Sequence, residues 1–413
     1  MFRDAFPLFA IALAIRIALI FHPGHVQDFQ IFSSWAEKGA EYGVVEMYDP
    51  RVPGHMTDYP PVMLYLYTGV GHLIGAIQGD QARTMFSTAM VKLPGILGDF
   101  ALAAVMILIG RRTIGRRRGV IAATLYLLLP ASWLDSAVWG QVDSVVTLLV
   151  LVAFVALAMK RPWIAGSAAG LAVCTKYQAL AFLPLLAAIA LVIDWRLLTK
   201  AVVATVGAAT AVLMPFIIAG NFSQVAAAYS RAVGAYSVLS ANAFNLWRIG
   251  FGDAASSIPD TQDFAGLSYR NWGFVMFASA LTIVIVLTSR MLASARDDDT
   301  LRLRIVLASA AVLSLAFFMF PTQIHERYLF PFLALGAFFA TRGWIEMLTY
   351  LTISAGIALN IAYRLSISAA ELLYRAVPGA ERLIAIALLA SGVVASVMIF
   401  YRVPLFPAER AYR

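Results

Sequence analysis

One cysteine in 413 residues, Cys174, excludes an intrachain disulfide and a thiolate metal cluster. Charge is scarce as well: 13% of the residues are Asp, Glu, Lys or Arg, 61% are hydrophobic, and the mean hydropathy is +0.80. A chain this apolar has more nonpolar surface than a soluble domain of its length can bury. The basic residues never gather on one polar domain, so the net charge of +8 is not a nucleic-acid signature. No internal repeat, low-complexity tract or soluble domain is visible. A small-residue cleavage site is missing after the first apolar segment, where HPGHV stands instead, so residues 5 to 21 read as a retained helix and not as a signal peptide.

What is present is a series of apolar segments of the length needed to cross about 30 Å of hydrocarbon. They fall near 5 to 21, 86 to 110, 119 to 134, 143 to 159, 201 to 219, 273 to 289, 305 to 320, 329 to 341, 344 to 361 and 383 to 401. Two shorter pieces flank Lys176 between 164 and 193, a pattern of thinned bundles that leave a lipid-facing groove. Residues 62 to 77, short, Gly-interrupted and Tyr-rich, read as an interfacial helix. With that choice Arg3, the RRTIGRRRG run at 111 to 119, Lys160, Arg161, Arg196, Lys200, the run from Arg290 to Arg304, Arg342 and the C-terminal arginines share one side. The positive-inside rule makes that side cytoplasmic. The expectation is an all-α polytopic membrane protein of one domain, 1–413, with about twelve crossings and both termini inside. Two large outer excursions are expected, 22–85 and 220–272.

Five polar stretches fall on the outer side. The first, 22 to 61, carries Asp28 just beyond a helix and walled by Phe29, Phe32 and Trp35, and Asp58 before Pro60-Pro61. Both aspartates also suit plain capping roles. LDSAVWGQVDS, 134 to 144, sets Asp135 and Asp143 about a Trp-Gly-Gln core, as a capped turn or a site. CTKYQ places Lys176 at a helix break, where it either snorkels or meets a lipid phosphate. SANAFNLW, 240 to 247, contacts a sugar or orders a loop. PTQIHERY, 321 to 328, holds a His-Glu-Arg triplet between very apolar segments; Arg327 suits bidentate phosphate binding with His325 as a second donor, or else pairs with Glu326. No second histidine stands at zinc spacing, so no metal or other cofactor is called for. Arg16 and Asp99, inside apolar segments, read as a structural pair.

In this order, QDFQIFSSWAE, TDYPPVMLY, WGQVDS, CTKYQALAFLP, SANAFNLW and HERYLF resemble the GT-C superfamily of membrane glycosyltransferases that use polyprenyl-phosphate-linked sugars. The likeness spans about residues 25 to 331. It is most similar to bacterial proteins related to the second mannosyltransferase of GPI-anchor synthesis, and more distantly to dolichyl-phosphate-glucose glucosyltransferases. The resemblance implies a GT-C-like bundle with two juxtamembrane helices in the first outer loop, 62 to 77 being one of them. It implies that Asp28 is the catalytic base and that Lys176 and His325 to Arg327 lie near the donor phosphate. Asp143 stands where the glucosyltransferases have asparagine, which leaves mannose and glucose both open. Candidates for sugar or acceptor contact are Asp58, Tyr59, Trp139, Gln141, Asp143, Gln178, Asn242, Asn245 and Glu326.

The chemistry fits these residues. A lipid phosphate is a good leaving group, so one base suffices, unlike the carboxylate pair of a glycosidase. The acceptor is a glycan, glycolipid or protein hydroxyl, and short loops point to a prokaryotic plasma membrane with an extracytoplasmic site. A secondary transporter or flippase is the alternative, but it calls for repeat symmetry and charges near the midplane, whereas here the polar groups gather at one edge.

Overall fold

A computed structural model describes residues 6–52, 57–77, 80–232, 234–295 and 297–402. Arg3 and the arginines beyond 402, used above to set orientation, lie outside the described residues. In chain order the helices are α1 Phe6–Leu19, α2 Val26–Tyr42, α3 Pro61–Gly75, α4 Asp80–Thr113, α5 Arg116–Leu128, α6 Pro130–Trp133, α7 Asp143–Ala158, α8 Pro162–Val173, α9 Leu183–Ile193, α10 Trp195–Ile218 and α11 Phe222–Ala232. They continue with α12 Leu246–Phe251, α13 Tyr269–Ser294, α14 Asp299–Met319, α15 Phe330–Leu335, α16 Ala337–Ala340, α17 Trp344–Arg364, α18 Ser368–Ala376 and α19 Ala380–Arg402. The described strands are a two-residue hairpin, Asp263–Phe264 against Leu267–Ser268.

Every apolar segment read from the sequence lies on a helix. Six described helices are long and apolar enough to cross a membrane. The segment at 119 to 134 is not one straight helix as expected: α5 ends at Leu128, and the chain resumes from Pro130 after a 52° bend, because Pro130 cannot continue the hydrogen-bond ladder. Counted as one span, that pair makes seven. Five shorter apolar pieces, Phe6–Leu19, Asp143–Ala158, Pro162–Val173, Tyr177–Ile193 and Phe330–Ala340, account for the difference from twelve. At about 1.5 Å per residue each is too short by itself for 30 Å of hydrocarbon. Pro61–Gly75 is in neither set.

Burial separates inner from outer helices. The most apolar stretch of α14 is 83% buried, whereas those of α10 and α13 are 11% and 17% buried. Exposed Ile218 and Val206 on α10 and Ile283 on α13 therefore face lipid, and α14 is the central post. Its 21 residues span about 31 Å, and the short stretch 320–324 leads from its end to the His-Glu-Arg triplet.

A second, separate core joins the first loop to the bundle. Phe32 and Trp35 of α2, Met63 and Tyr67 of α3, Phe216 of α10 and Val225 and Ala228 of α11 are buried together. Phe32 stacks on Tyr67 at 5.1 Å between ring centroids, and Trp35 lies 5.2 Å from Tyr59. The aromatic residues around Asp28 in the sequence thus serve packing. They anchor α2 and α3 as a helical hairpin and hold Tyr59 inward.

Candidate active site

The site begins at a break in helical geometry. Residues Leu134–Trp139 form a π-helical turn closed by Gly140 at φ +91°, where Gly140 N and Gln141 N both donate to Asp135 O at 3.0 and 2.9 Å. The wider turn leaves Trp139 and Gln141 pointing the same way. Such bulges recur at functional sites, and three buried groups support this one. Lys92 of α4 donates to Val138 O at 2.9 Å, Ala137 O at 3.0 Å and His22 O at 2.5 Å. Asp99 accepts from Ser136 at 2.5 Å while paired with Arg16 at 2.7 Å. Tyr126 also donates to Asp99, so the Arg16–Asp99 pair expected from the sequence is present and structural. Gly95 lets α4 touch the turn, since a Cβ there would lie 2.2 Å from Gln141 O.

The same turn receives the first loop. Gly24, at φ +65°, packs so closely that a Cβ would lie 2.4 Å from Val138 O. This approach brings Asp28 to the tryptophan: Trp139 Nε1 donates to Asp28 Oδ2 at 2.8 Å and Gln141 Nε2 donates to it at 2.7 Å. His25 Nδ1 lies 3.1 Å from Asp28 Oδ1 and 3.4 Å from Asp28 N. One nitrogen cannot donate and accept at once, and the shorter contact takes the proton. Burial pushes the Asp28 carboxyl upward, but His25, Arg327 and Trp139 outweigh it and hold it well below the usual carboxylate range. Asp28 is ionised, with 21% of its side chain exposed.

Behind Asp28 the network continues without interruption. Gln141 Oε1 accepts from Tyr59 and from Lys176, each at 3.2 Å. Lys176 Nζ reaches Asp143 Oδ2 at 2.8 Å, and Gln178 Nε2 donates to Asp143 Oδ1 at 3.0 Å. Lys176 does not snorkel; it is buried. Its loop is stitched in place where Val62 N donates to Cys174 O at 2.8 Å and Tyr229 donates to Val173 O at 3.3 Å, using carbonyls that the helix break leaves free.

Arg327 closes the group. Its guanidinium sits 5.0 Å over the Trp139 ring, pairs with Glu326 at 2.6 Å and lies 3.7 Å from Asp143. Its Nε has no hydrogen bond among the described residues. Nη1 is taken by Glu326 and the buried Nε faces the Asp143 carboxylate beyond hydrogen-bond distance, so the ion pair expected as the alternative to phosphate binding is present. His325 is neutral: burial, then the charge of Arg327, push its imidazole well below the usual range. Its ring packs on Tyr236 at 4.5 Å and Tyr328 at 5.2 Å.

Asp58 stands at the rim, beside a cavity of about 630 Å³. Thr57 donates to Met47 O at 2.6 Å and Tyr48 to Tyr59 O at 2.7 Å, which fixes the segment. Burial and then the charge of Asp28 raise the Asp58 carboxyl, against a lowering by its own backbone amide.

Two candidates do not join the network through their side chains. Asn242, at φ +71°, bridges His325 through backbone, and its carbonyl accepts from Asn360 at 2.8 Å. Asn245 is buried with no side-chain partner among the described residues, and Trp247 donates to Phe320 O at 2.9 Å. Asp135 is buried behind the turn and its carboxyl oxygens find no partner among the described residues. The sequence reading missed His25 and Lys92. His25 three residues before Asp28 at a helix start was a readable signal, as was a lysine inside an apolar segment.

The sequence profile of glycosyltransferase family 87 matches residues 59–321. The chain belongs to glycosyltransferase family 87. Of the elements described, the matched span contains Tyr59, the Trp139–Asp143 turn and Lys176, while Asp28 and Arg327 lie outside it. No curated protein matches this family 87 member in sequence. Among solved structures, ArnT from Cupriavidus metallidurans bound to undecaprenyl phosphate is similar with a TM-score of 0.54 and 13% identity, over 98% of this chain and 78% of that one. The apo form of ArnT gives a TM-score of 0.46 and 14% identity over 97% and 78%. The first likeness shows the fold: this family 87 glycosyltransferase is a GT-C-like, nearly all-helical, multi-pass membrane protein.

Proposed function

We propose that the protein transfers a hexose, mannose or glucose, from a polyprenyl-phosphate-linked donor to an acceptor hydroxyl, inverting C1, on the extracytoplasmic face of a plasma membrane. The observation that carries this reading is an ionised carboxylate, Asp28, and a guanidinium, Arg327, held on one indole, that of Trp139. The undecaprenyl phosphate named with ArnT supports the donor class. Asp28 takes the acceptor proton as the oxygen attacks C1; the bond from C1 to the phosphate oxygen breaks and its electron pair leaves on the phosphate. The positive charge of Arg327 stabilises that developing charge, with neutral His325 as a further donor beside it. Lys176, already neutralised by Asp143, positions Gln141. The polyprenyl tail runs beside the short helices α8 and α9.

Arg327 is one of the charges that hold the Asp28 proton affinity down. A donor phosphate that engages Arg327 offsets that charge, so Asp28 becomes a stronger base only when donor is in place. The test is loss of labelled polyprenyl-phosphate hexose by purified protein, with Asp28→Asn compared. Asn keeps the shape and removes basicity, so turnover falls by about 10² to 10⁴ while donor binding persists. Full turnover in Asp28→Asn returns that residue to its capping role and sinks the mechanism.

A further inference from the structure

The arginine run at 111 to 118 does more than set orientation. The junction inside it, between α4 and α5, forms one wall of a cleft at the end of α14 away from the His-Glu-Arg triplet. Ile114, Leu307, Phe339 and Ile399 make the floor of this cleft, and its charged lining residues are Arg304 and Arg342. Arg304 Nε donates to Thr113 O at 2.5 Å, which ties α14 to the last turn of α4. The floor is buried, whereas both arginines are partly exposed. The enclosed space is about 20 Å³, room for a single water. A larger ligand therefore sits at the mouth, on the guanidiniums, and not inside. Segments 111–118, 298–304 and 341–346 meet there with eight arginines against three carboxylates, so the mouth favours an anion. Two of the carboxylates are engaged: Asp299 pairs with Arg302, and Glu346 folds back on the start of α17, where a Cβ on Gly343 would lie 2.6 Å from its Oε2.

Two further observations describe the ligand. Burial and then the charge of Arg304 push the Arg342 guanidinium down to about 10, against a raising by Glu346, which is the mark of like charges sharing a partly dry place. α5 adds to the field, since its first turn carries Arg116, Arg117 and Arg118 with no acidic residue and no side-chain cap. The surroundings are those of a membrane edge. Trp344 and Tyr401, each two residues from a lining residue, are exposed, and such aromatics gather at headgroup level. Basic clefts between membrane helices flanked in this way suit a ligand with an anionic head and an apolar body. We propose that the mouth binds the headgroup phosphate of an anionic phospholipid in the leaflet opposite the Asp28 network, with Arg304 and Arg342 as its ligands. The acyl chains lie along the exposed Val393, Val394 and Val397 of α19. The bound lipid joins the α4–α5 junction, the start of α14 and the connection from α16 to α17 into one unit.

The experiment is native mass spectrometry of the full chain in detergent, titrated with phosphatidylglycerol or with phosphatidylcholine of the same acyl chains. The wild type holds one phosphatidylglycerol about tenfold or more tighter than phosphatidylcholine. Arg304→Gln and Arg342→Gln, made singly, each weaken phosphatidylglycerol about tenfold, the scale of one lost hydrogen bond to a charged group. Arg290→Gln removes an exposed arginine of α13 at the same end of the bundle and leaves binding unchanged. Thermal unfolding shows that the variants fold. Should Arg304→Gln unfold because its bond to Thr113 is lost, Arg342→Gln, in the connection between α16 and α17, decides alone. Equal affinity for the two lipids, unchanged binding in Arg342→Gln, or an equal loss in Arg290→Gln overturns the proposal. So does displacement of the lipid by millimolar inorganic phosphate, which would assign the two arginines to a free anion. Binding is read without any transfer reaction, so its failure leaves the glycosyltransferase reading untouched.

Discussion

Lys176 Nζ lies 2.8 Å from Asp143 Oδ2, with both side chains buried. The cation that the sequence offers to a phosphate is therefore already compensated by protein, and Gln178 and Arg327 complete the coordination of the same carboxylate. Removing one partner strands the other. Lys176→Met and Asp143→Asn are each expected to lower stability by about 3–5 kcal/mol, and the double variant by clearly less than the sum. Unfolding in detergent measures all three. Additive losses would show that the two residues act independently.

The second expectation concerns pH. Asp28 is depressed below the free-carboxylate value of 3.8. Its contribution to stability is thus present above about pH 3.8 and lost as pH falls through the lower folded-state value. For activity, the acid limb of kcat/KM, which reports the free enzyme, should lie below pH 4. His25→Ala removes a group that holds Asp28 down and moves that limb upward. An Asp28-dependent limb near pH 6 to 7 in the wild type would contradict the arrangement.

The guanidinium of Arg327 has a third, geometric test. Arg327→Lys keeps the charge and loses the planar fork and its stacking on Trp139, so donor binding weakens by about tenfold or more, and Arg327→Ala weakens it further. Donor affinity unaltered in Arg327→Lys would reduce the residue to its ion pair with Glu326.

Gly24 supplies a fourth. A Cβ there meets Val138 O at 2.4 Å, whereas at Gly43, also at positive φ, it meets nothing within 4 Å. Gly24→Ala should push the first loop off the π turn, lowering stability by about 1–2 kcal/mol or more and turnover at least tenfold. Gly43→Ala should cost stability with turnover kept. Equal turnover in both variants would mean that contact of this loop with the turn does not position Asp28.

The last prediction is topological. If α3 does not cross, Glu37→Cys and Asp80→Cys label from the same side of the membrane and Gly115→Cys from the other. Opposite labelling of 37 and 80 would make α3 a span and move the basic run at 111 to 118 to the side of the first loop, against the positive-inside rule.

Hydropathy alone decided that the chain is a polytopic helical membrane protein. The location of its helices was legible for the same reason: a segment facing lipid must be apolar along its whole length and satisfy its own backbone. The polar stretches bearing Asp28, Asp58, Trp139, Lys176 and Arg327 stood out because charge is costly near hydrocarbon, and so did Arg16 and Asp99. Which of these groups meet was not written locally. Asp28 is 113 residues from Gln141, and Lys176 is 33 from Asp143. Their contact depends on a π turn that no local propensity marks, on Gly24 and Gly95 allowing backbone to approach backbone, and on Lys92 gathering three carbonyls. The tertiary structure also kept the side chains of Asn242 and Asn245 out of the Asp28 to Arg327 network, and brought in α11, whose amphipathic face gives no hint in sequence of the cavity it lines. Long-range packing chose among polar groups that burial alone could only nominate.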